Sequence, residues 1–350
     1  MRIAVLGAGS IGTIVGAYIA AGGENIELID ANREHVAALN ASGAKITGTT
    51  EFQTKVKAIT SENMSGTYDL VLLLTKQLHN ESILQGLLPY LGEHSVVCSL
   101  QNGIPEEQLA SIVGRERVIA GAVEFGATYM EPGVSNLTTE YSKFKKYAFQ
   151  IGEFTGERTE RLEQIKAILD LVGGTHISDN LIGTKWSKLL VNNAFSGLSA
   201  ALNATYGNVL NHNIGMQAAV RIADETIKVG HANGVIFAPM GKFDIETFEV
   251  HSETDIPERI ETYRFMLKAS RLLKASMLQD LEKKRKTEID YINGVVPRLA
   301  LGKEVPTPFN DLVVQLVKKA EESQIVPNFE ENMKFFEELI IVHGSSPSIV

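Results

Sequence analysis

The sequence is poor in cysteine: among 350 residues only Cys98 carries a thiol. No intrachain disulfide and no cysteine metal cluster can form. Cys98, inside the apolar run Ser95-Val96-Val97-Cys98-Ser99-Leu100, reads as a buried, inert thiol. Basic charge is also short, with 33 Lys and Arg against 42 Asp and Glu, a net charge of -9. Phosphate recognition needs a basic face, so this balance speaks against a nucleic-acid binder. The nearest basic run, Lys283-Lys284-Arg285-Lys286, reads as a solvated helix end. No apolar run reaches the ~18 residues of a membrane span. Met1-Arg2-Ile3-Ala4-Val5-Leu6 leads straight into glycines, not into a longer hydrophobic region with a cleavage site. That makes it a strand and not a signal peptide, and the expected location is the cytoplasm. No His or carboxylate set has metal-ligand spacing, and there is no internal repeat.

What is there is the composition of an ordinary globular protein, 44% hydrophobic and 21% charged, with length enough for two domains. Residues 2–6 form a β-rich run followed by Gly7-Ala8-Gly9-Ser10-Ile11-Gly12, a helical pattern over 14–21, and a second apolar run, Ile26-Glu27-Leu28-Ile29, ending at Asp30. Strand, glycine turn, helix, strand and acid follow in the order of a dinucleotide-binding unit. Gly7 permits the tight turn, Gly9 lets backbone amides approach a pyrophosphate, and Gly12 lets the helix pack closely on the strand. The helix N-terminus then faces the phosphates with its partial positive charge.

Alternation continues. Asp69-Leu70-Val71-Leu72-Leu73-Leu74-Thr75 is a strand buried on both faces, and strands over 95–101 and 118–125 follow, with helices between. The expectation is a doubly wound parallel sheet, with Thr75-Lys76, Gln101-Asn102-Gly103 and Glu124 at the strand ends where ligands bind. The β-like pieces over 130–156 are expected to extend the same sheet with antiparallel strands. From Thr184 onward no convincing strand appears. Helical patterns run over 186–202, 214–233, 257–271, 277–281, 288–299, 310–322 and 329–341, and the tail over 344–348 is expected to fray. The fold class is therefore α/β: a Rossmann-type domain over 1–182, followed by an all-helical domain over 183–350.

The helix over 186–202 carries Lys188, Asn192 and Ser196 at four-residue spacing, hence on one face, while Leu189, Val191 and Phe195 point elsewhere. Such a stripe is either a surface lysine with a satisfied amide and hydroxyl, or the wall of an active site. His35 and His79 are expected to be exposed helix residues.

The glycine fingerprint, Thr75-Lys76, Gln101-Asn102-Gly103 and the Lys188 stripe are joined by two further motifs. These are Ser276-Met277-Leu278-Gln279-Asp280 and Thr287-Glu288-Ile289-Asp290-Tyr291-Ile292-Asn293-Gly294. Together they make a chain that resembles the ketopantoate reductases, the 2-dehydropantoate 2-reductases and their related 2-hydroxyacid dehydrogenases, over residues 1–322. The resemblance implies that Lys188 is the proton donor, that Asn102, Asn192 and Ser276 hold substrate, that Glu288 shares in catalysis, that Lys76 lies near the adenosine ribose, and that the chain is a homodimer through its helical domain. Three departures bear on the substrate: Ser196 stands where the family often has asparagine, the segment 235–271 is longer than usual, and Glu124 is an unexpected acid.

The implied reaction is reduction of an α-keto acid, in which the carbonyl oxygen gains charge and then a proton. A lysine ammonium, with an unperturbed pKa of ~10.4, can stabilise the oxyanion and then donate. Ser196 and Asn192 can bond the substrate from the same helix face. An unbroken helix would separate Ser276 and Glu288 by about 18 Å, so the chain must turn between them. Thr287 with Asp290 resembles an N-cap whose third residue reaches back, placing a helix start there.

The expected cofactor contacts are Gly7, Ala8, Gly9, Ser10, Ile11, Gly12, Asp30, Thr75, Lys76 and Asn102. Asp30 can accept from the ribose hydroxyls and repel a 2′-phosphate, which favours NAD(H) over NADP(H). Arg33 and Lys76 supply opposing positive charge, and the family is mostly NADP-dependent. Two other functions stay open: a related dehydrogenase for another 2-keto acid, and a non-catalytic NAD(P)-binding sensor.

Overall fold

The computed structural model describes residues 1–344; most of the tail expected to fray lies outside the described residues. The chain divides into two compact units, Met1–Lys185 and Trp186–Val350.

The first unit begins β1 (Arg2–Leu6), α1 (Ser10–Ala21), β2 (Asn25–Ile29), α2 (Arg33–Ser42), β3 (Ala44–Gly48), β4 (Phe52–Thr54), β5 (Lys57–Ile59) and β6 (Tyr68–Leu73). It continues α3 (Asn80–Leu87), β7 (Leu91–Ser99), α4 (Glu106–Val113), β8 (Val118–Val123), β9 (Ala127–Glu131), β10 (Val134–Leu137), α5 (Tyr141–Lys146), β11 (Phe149–Gly152), α6 (Glu160–Asp170) and β12 (Thr175–Ile177). The main sheet has the order β12-β11-β8-β7-β6-β1-β2-β5. Every neighbouring pair is parallel except β8 with β11. Because side chains alternate along a strand, Ile3 and Val5 join the core on one face and Ala4 and Leu6 that on the other. Both faces of β1 are thus closed to water, which is why its sequence is continuously apolar. Cys98 lies wholly buried in β7, where burial pushes its thiol up to about 12, an inert group.

One expectation fails. Of the pieces over 130–156 only β11 joins the main sheet; β9 and β10 join β3 and β4 in a second sheet ordered β4-β3-β10-β9. The reason lies in α1, which buries residues on nearly all sides. A helix apolar all round needs a second layer over its outer face, and the small sheet is that layer, with Phe52 stacked on Tyr18 at 4.6 Å between ring centres.

The helices of the second half are α7 (Leu181–Val191), α8 (Leu198–Leu202), α9 (Tyr206–Asn211), α10 (Asn213–Ala232), α11 (Ile256–Met266), α12 (Ser276–Glu282), α13 (Val295–Ala300), α14 (Pro308–Ser323) and α15 (Phe329–Gly344). Buried α10 is the hub of the second unit, packing against α9, α11, α13, α14 and α15. Among the described residues this unit holds no strand beyond an isolated Met240–Phe243 bridge. Three helical expectations are corrected. The helix over 186–202 is interrupted by a π-helical turn, Asn192–Gly197. The one over 257–271 stops at Met266. The one over 288–299 is a 3-10 turn, Ile289–Tyr291, followed by α13.

Candidate active site

The glycine turn joins β1 to α1. Gly7 has φ +100, and a β-carbon on it would stand 2.6 Å from the Thr75 amide nitrogen; one on Gly12 would stand 2.1 Å from the Gly7 carbonyl oxygen. Neither position admits a side chain. Gly9 differs: nothing among the described residues lies within 4 Å of its would-be β-carbon, so its open face is one onto which a phosphate can descend. The amides of Gly7 and Ala8 are taken by the Ile29 carbonyl, at 2.9 and 3.2 Å. By helix geometry the amides of Ser10, Ile11 and Gly12 have no intrahelical acceptor. This cradle fits a dinucleotide pyrophosphate.

His35 is not an exposed helix residue. It is buried, with Nε2 2.7 Å from the Ala8 carbonyl and Nδ1 accepting from the Gly133 amide at 3.0 Å. Nδ1 is an acceptor, so Nε2 carries the proton and donates to Ala8, clamping the glycine turn from beneath. His79 is exposed, as expected. Asp30 follows β2 and accepts from the Asn32 amide at 2.9 Å, while Arg33 pairs with Glu62 at 2.7 Å.

At the ends of β6 and β7 the amide of Gln101 donates to the Thr75 carbonyl at 2.8 Å, and Gln77 donates to the Asn102 carbonyl at 2.6 Å. Thr75 and Asn102, far apart in sequence, are thus joined by neighbouring glutamines; the Lys76 and Asn102 side chains are exposed. Glu124, half-buried after β8, accepts from Gln150 at 3.4 Å. A pair that sequence reasoning missed lies below them. The Lys185 ammonium pairs with Glu106 and donates to the Gln101 and Gly121 carbonyls, each at 3.1 Å. Burial raises the Glu106 carboxyl above its usual range, against the pull of Lys185. Lys185 and Lys188 look alike in sequence; only folding tells them apart.

In the second unit Leu189 and Phe195 are wholly buried as expected, with Leu190, whereas Lys188, Asn192 and Ser196 are half-buried; Val191, expected to point away with the buried pair, is half-buried too. The Ser196 hydroxyl lies 3.5 Å from Asn192 Oδ1 and 2.6 Å from the phenol of Tyr206, a group not anticipated from the sequence. Burial pushes that phenol up to about 12, so it stays protonated and can donate. Ser276 is exposed at the start of α12, which packs against the π segment. The chain does turn before Glu288, through Lys284 at φ 54. The expected N-cap at Thr287 is not built as foreseen. The Thr287 hydroxyl donates to Glu321 at 2.6 Å and accepts from the Ile289 amide at 3.2 Å, while Asp290 pairs with Lys318 at 2.6 Å. Glu288 itself is half-buried. Among the described residues no helix is long and apolar enough to cross a membrane, and no group of three or more His, Cys, Asp or Glu side chains could hold a metal ion.

A doubly wound sheet whose glycine turn feeds an open helix N-terminus, with an acid closing its second strand, defines a dinucleotide-binding protein of the Rossmann class. The model of the family described as ketopantoate reductase PanE/ApbA matches residues 3–150, and that of its C-terminal domain residues 180–321. The chain belongs to the ketopantoate reductase family. A 2-dehydropantoate 2-reductase of Pyrococcus horikoshii is 33% identical over 324 residues, covering 92% of this chain and 98% of the relative. One of Lactococcus lactis is 28% identical, covering 92% and 98%. Among solved structures, D-mandelate dehydrogenase in its ternary structure with NADH and anilino(oxo)acetate superposes with a TM-score of 0.78 at 26% identity, covering 93% of this chain and 99% of the other. A ketopantoate reductase of Ralstonia eutropha JMP134 has the same score, identity and coverage.

Proposed function

We propose that the protein reduces 2-dehydropantoate to pantoate, with Lys188 as general acid. The observation that carries this is the Lys188, Asn192 and Ser196 face, half-exposed beside the buried Leu189, Leu190 and Phe195 in a chain of this family. Gly9 and the first amides of α1 would hold the pyrophosphate, and Asp30 the adenosine ribose. When bound, the nicotinamide supplies the hydride that reaches the keto carbon. The Lys188 ammonium stabilises the charge that grows on the carbonyl oxygen and then gives it a proton. Asn192 and Ser196 bond the substrate from the same face, Ser276 and Asn102 bind its polar ends, and Glu288 orients the hydroxyl being formed or the ammonium. NAD(H) is the favoured cofactor, supported by Asp30 and by the Glu62 carboxylate that occupies Arg33. A cytoplasmic homodimer completes this reading; sedimentation of the purified protein tests the dimer.

A second reading is reduction of another 2-keto acid. It is supported by the likeness to D-mandelate dehydrogenase and by Ser196, whose partner is Tyr206. A panel of keto acids, assayed with NADH and NADPH in parallel by loss of reduced-cofactor absorbance, separates the two. Turnover of none of them would leave only a dinucleotide-binding sensor.

A further inference from the structure

The π turn at Asn192–Gly197 is an uncommon geometry, found mostly as single turns inside α-helices and frequently at functional sites. A buried amide from elsewhere in the second unit holds it. Asn293 Nδ2 donates to the Asn193 carbonyl, inside the turn, at 3.2 Å, and to Asn310 Oδ1 at 3.0 Å. Its Oδ1 lies 1.9 Å from the place a β-carbon on Gly197 would take. Residue 197 must therefore be glycine for the amide to approach. Asn193 in turn donates to Thr226 Oγ1 at 3.2 Å, and Asn310 donates to Glu225 at 2.7 Å. Glu225, on α10, also accepts the amides of Phe309 and Asn310, each at 2.8 Å, which caps α14. Asn193, Thr226, Asn293 and Asn310 are wholly buried.

The network has two ends that matter for chemistry. Asn193 is the inward neighbour of Asn192, and Asn293 closes the turn that starts at Glu288, where the Ile292 amide donates to the Glu288 carbonyl at 3.0 Å. We propose that Asn293 is a positioning residue. It holds the π register, and with it Asn192 and Ser196, in a fixed relation to Glu288. The inference rests on the substrate-site reading above. Return of the turn to α geometry shifts the helix register by one residue, a rotation of about 100°, which would uncouple Ser196 from Tyr206 and the Asn193 carbonyl from Asn293.

The test uses the full chain and three variants. Asn293→Ala removes both donated bonds, Asn293→Ser keeps a small polar group, and Gly197→Ala displaces the amide without altering it. For Asn293→Ala and Gly197→Ala, amide hydrogen exchange in residues 192–198 and 288–294 is expected to quicken at least tenfold, with α10 and α14 unchanged. The KM for the keto acid that wild type reduces best should rise at least tenfold, and the cofactor KM should stay within twofold. Asn293→Ser should fall between these and wild type. Adding Ser196→Ala to Asn293→Ala should cost little more, because both act on one face. Unchanged exchange in the two segments overturns the proposal, as does exchange that quickens uniformly across the unit, or a folded Asn293→Ala with wild-type keto-acid KM. If Asn293→Ala does not fold, Asn293→Ser and Gly197→Ala decide by the same readouts. The exchange arm needs no substrate, so a wild type inert toward every keto acid defeats the proposed reaction while exchange alone still settles the lock.

Discussion

The Lys185 ammonium is caged by the Glu106 carboxylate and by the carbonyls of Gln101 and Gly121, each 3.1 Å away, with both charged side chains only 2% exposed. The cage ties the start of α7 to the strand ends beside Asn102. Removing one charge strands the other. Lys185→Met should therefore lower stability by about 3–5 kcal/mol, measured by urea unfolding. Lys185→Met with Glu106→Leu should recover part of the loss.

Lys188→Ala should lower kcat by about 10²–10⁴-fold, the usual contribution of a general acid. Lys188→Gln should not restore it, because an amide cannot donate the proton. The assay is keto-acid-dependent loss of reduced-cofactor absorbance, and a near wild-type rate in either variant would remove Lys188 from the mechanism.

Gly9 and Gly12 should separate binding from folding. Gly12→Ala forces a β-carbon against the Gly7 carbonyl and should cost about 1–3 kcal/mol along with cofactor affinity. Gly9→Ala meets no described atom within 4 Å, so its unfolding midpoint should barely move while cofactor binding weakens. Calorimetric titration beside thermal melts distinguishes the two.

Asp30→Ser should shift the ratio of kcat/KM for NADPH over NADH upward, since it removes the carboxylate that opposes a 2′-phosphate. No shift in that ratio would remove Asp30 from cofactor selection.

The pH dependence of stability should show Glu27. Burial raises its carboxyl, but bonds from Lys57, from Tyr68 at 2.7 Å and from Arg2 at 2.8 Å outweigh burial and hold it below the ordinary glutamate value. A depressed folded value means the contribution is complete above the unfolded value and is lost as pH falls through the folded one. Glu27→Gln should thus be less stable than wild type at pH 7, by about 2 kcal/mol, and the gap should close as the solution is acidified below the ordinary glutamate range. Unfolding curves at a series of pH values measure it.

The readable parts were those whose signal is local. A continuous apolar run means a strand covered on both faces, and β1, residues 70–73 of β6 and residues 95–99 of β7 obey it. Glycine spacing locates a turn with no room for side chains, and Gly7 and Gly12 have none. Four-residue spacing predicts one shared helix face, and Asn192 and Ser196 do share it despite the π turn. The second sheet was illegible because β10 pairs with β3, as Val134 with Lys45, across a long stretch of chain. No pattern within β10 names that partner. His35 misled for a related reason: α2 is polar enough to look solvated, yet the hairpin bearing Gly133 folds over it.

By itself the sequence determined the strand-turn-helix unit, the change from mixed to helical structure and the residue types able to move a proton, because periodicity, glycine geometry and functional-group chemistry act over a few residues. Only the tertiary structure decided that Lys185 is an internal strut beside a half-exposed Lys188, that Ser196 is matched with Tyr206, and that Asn293 wedges a helix open at Gly197. The Lys185 and Asn293 contacts are buried polar contacts between segments distant along the chain, while Ser196 meets Tyr206 on the next helix but one, and the desolvation that fixes them exists only once the apolar surfaces around them have closed.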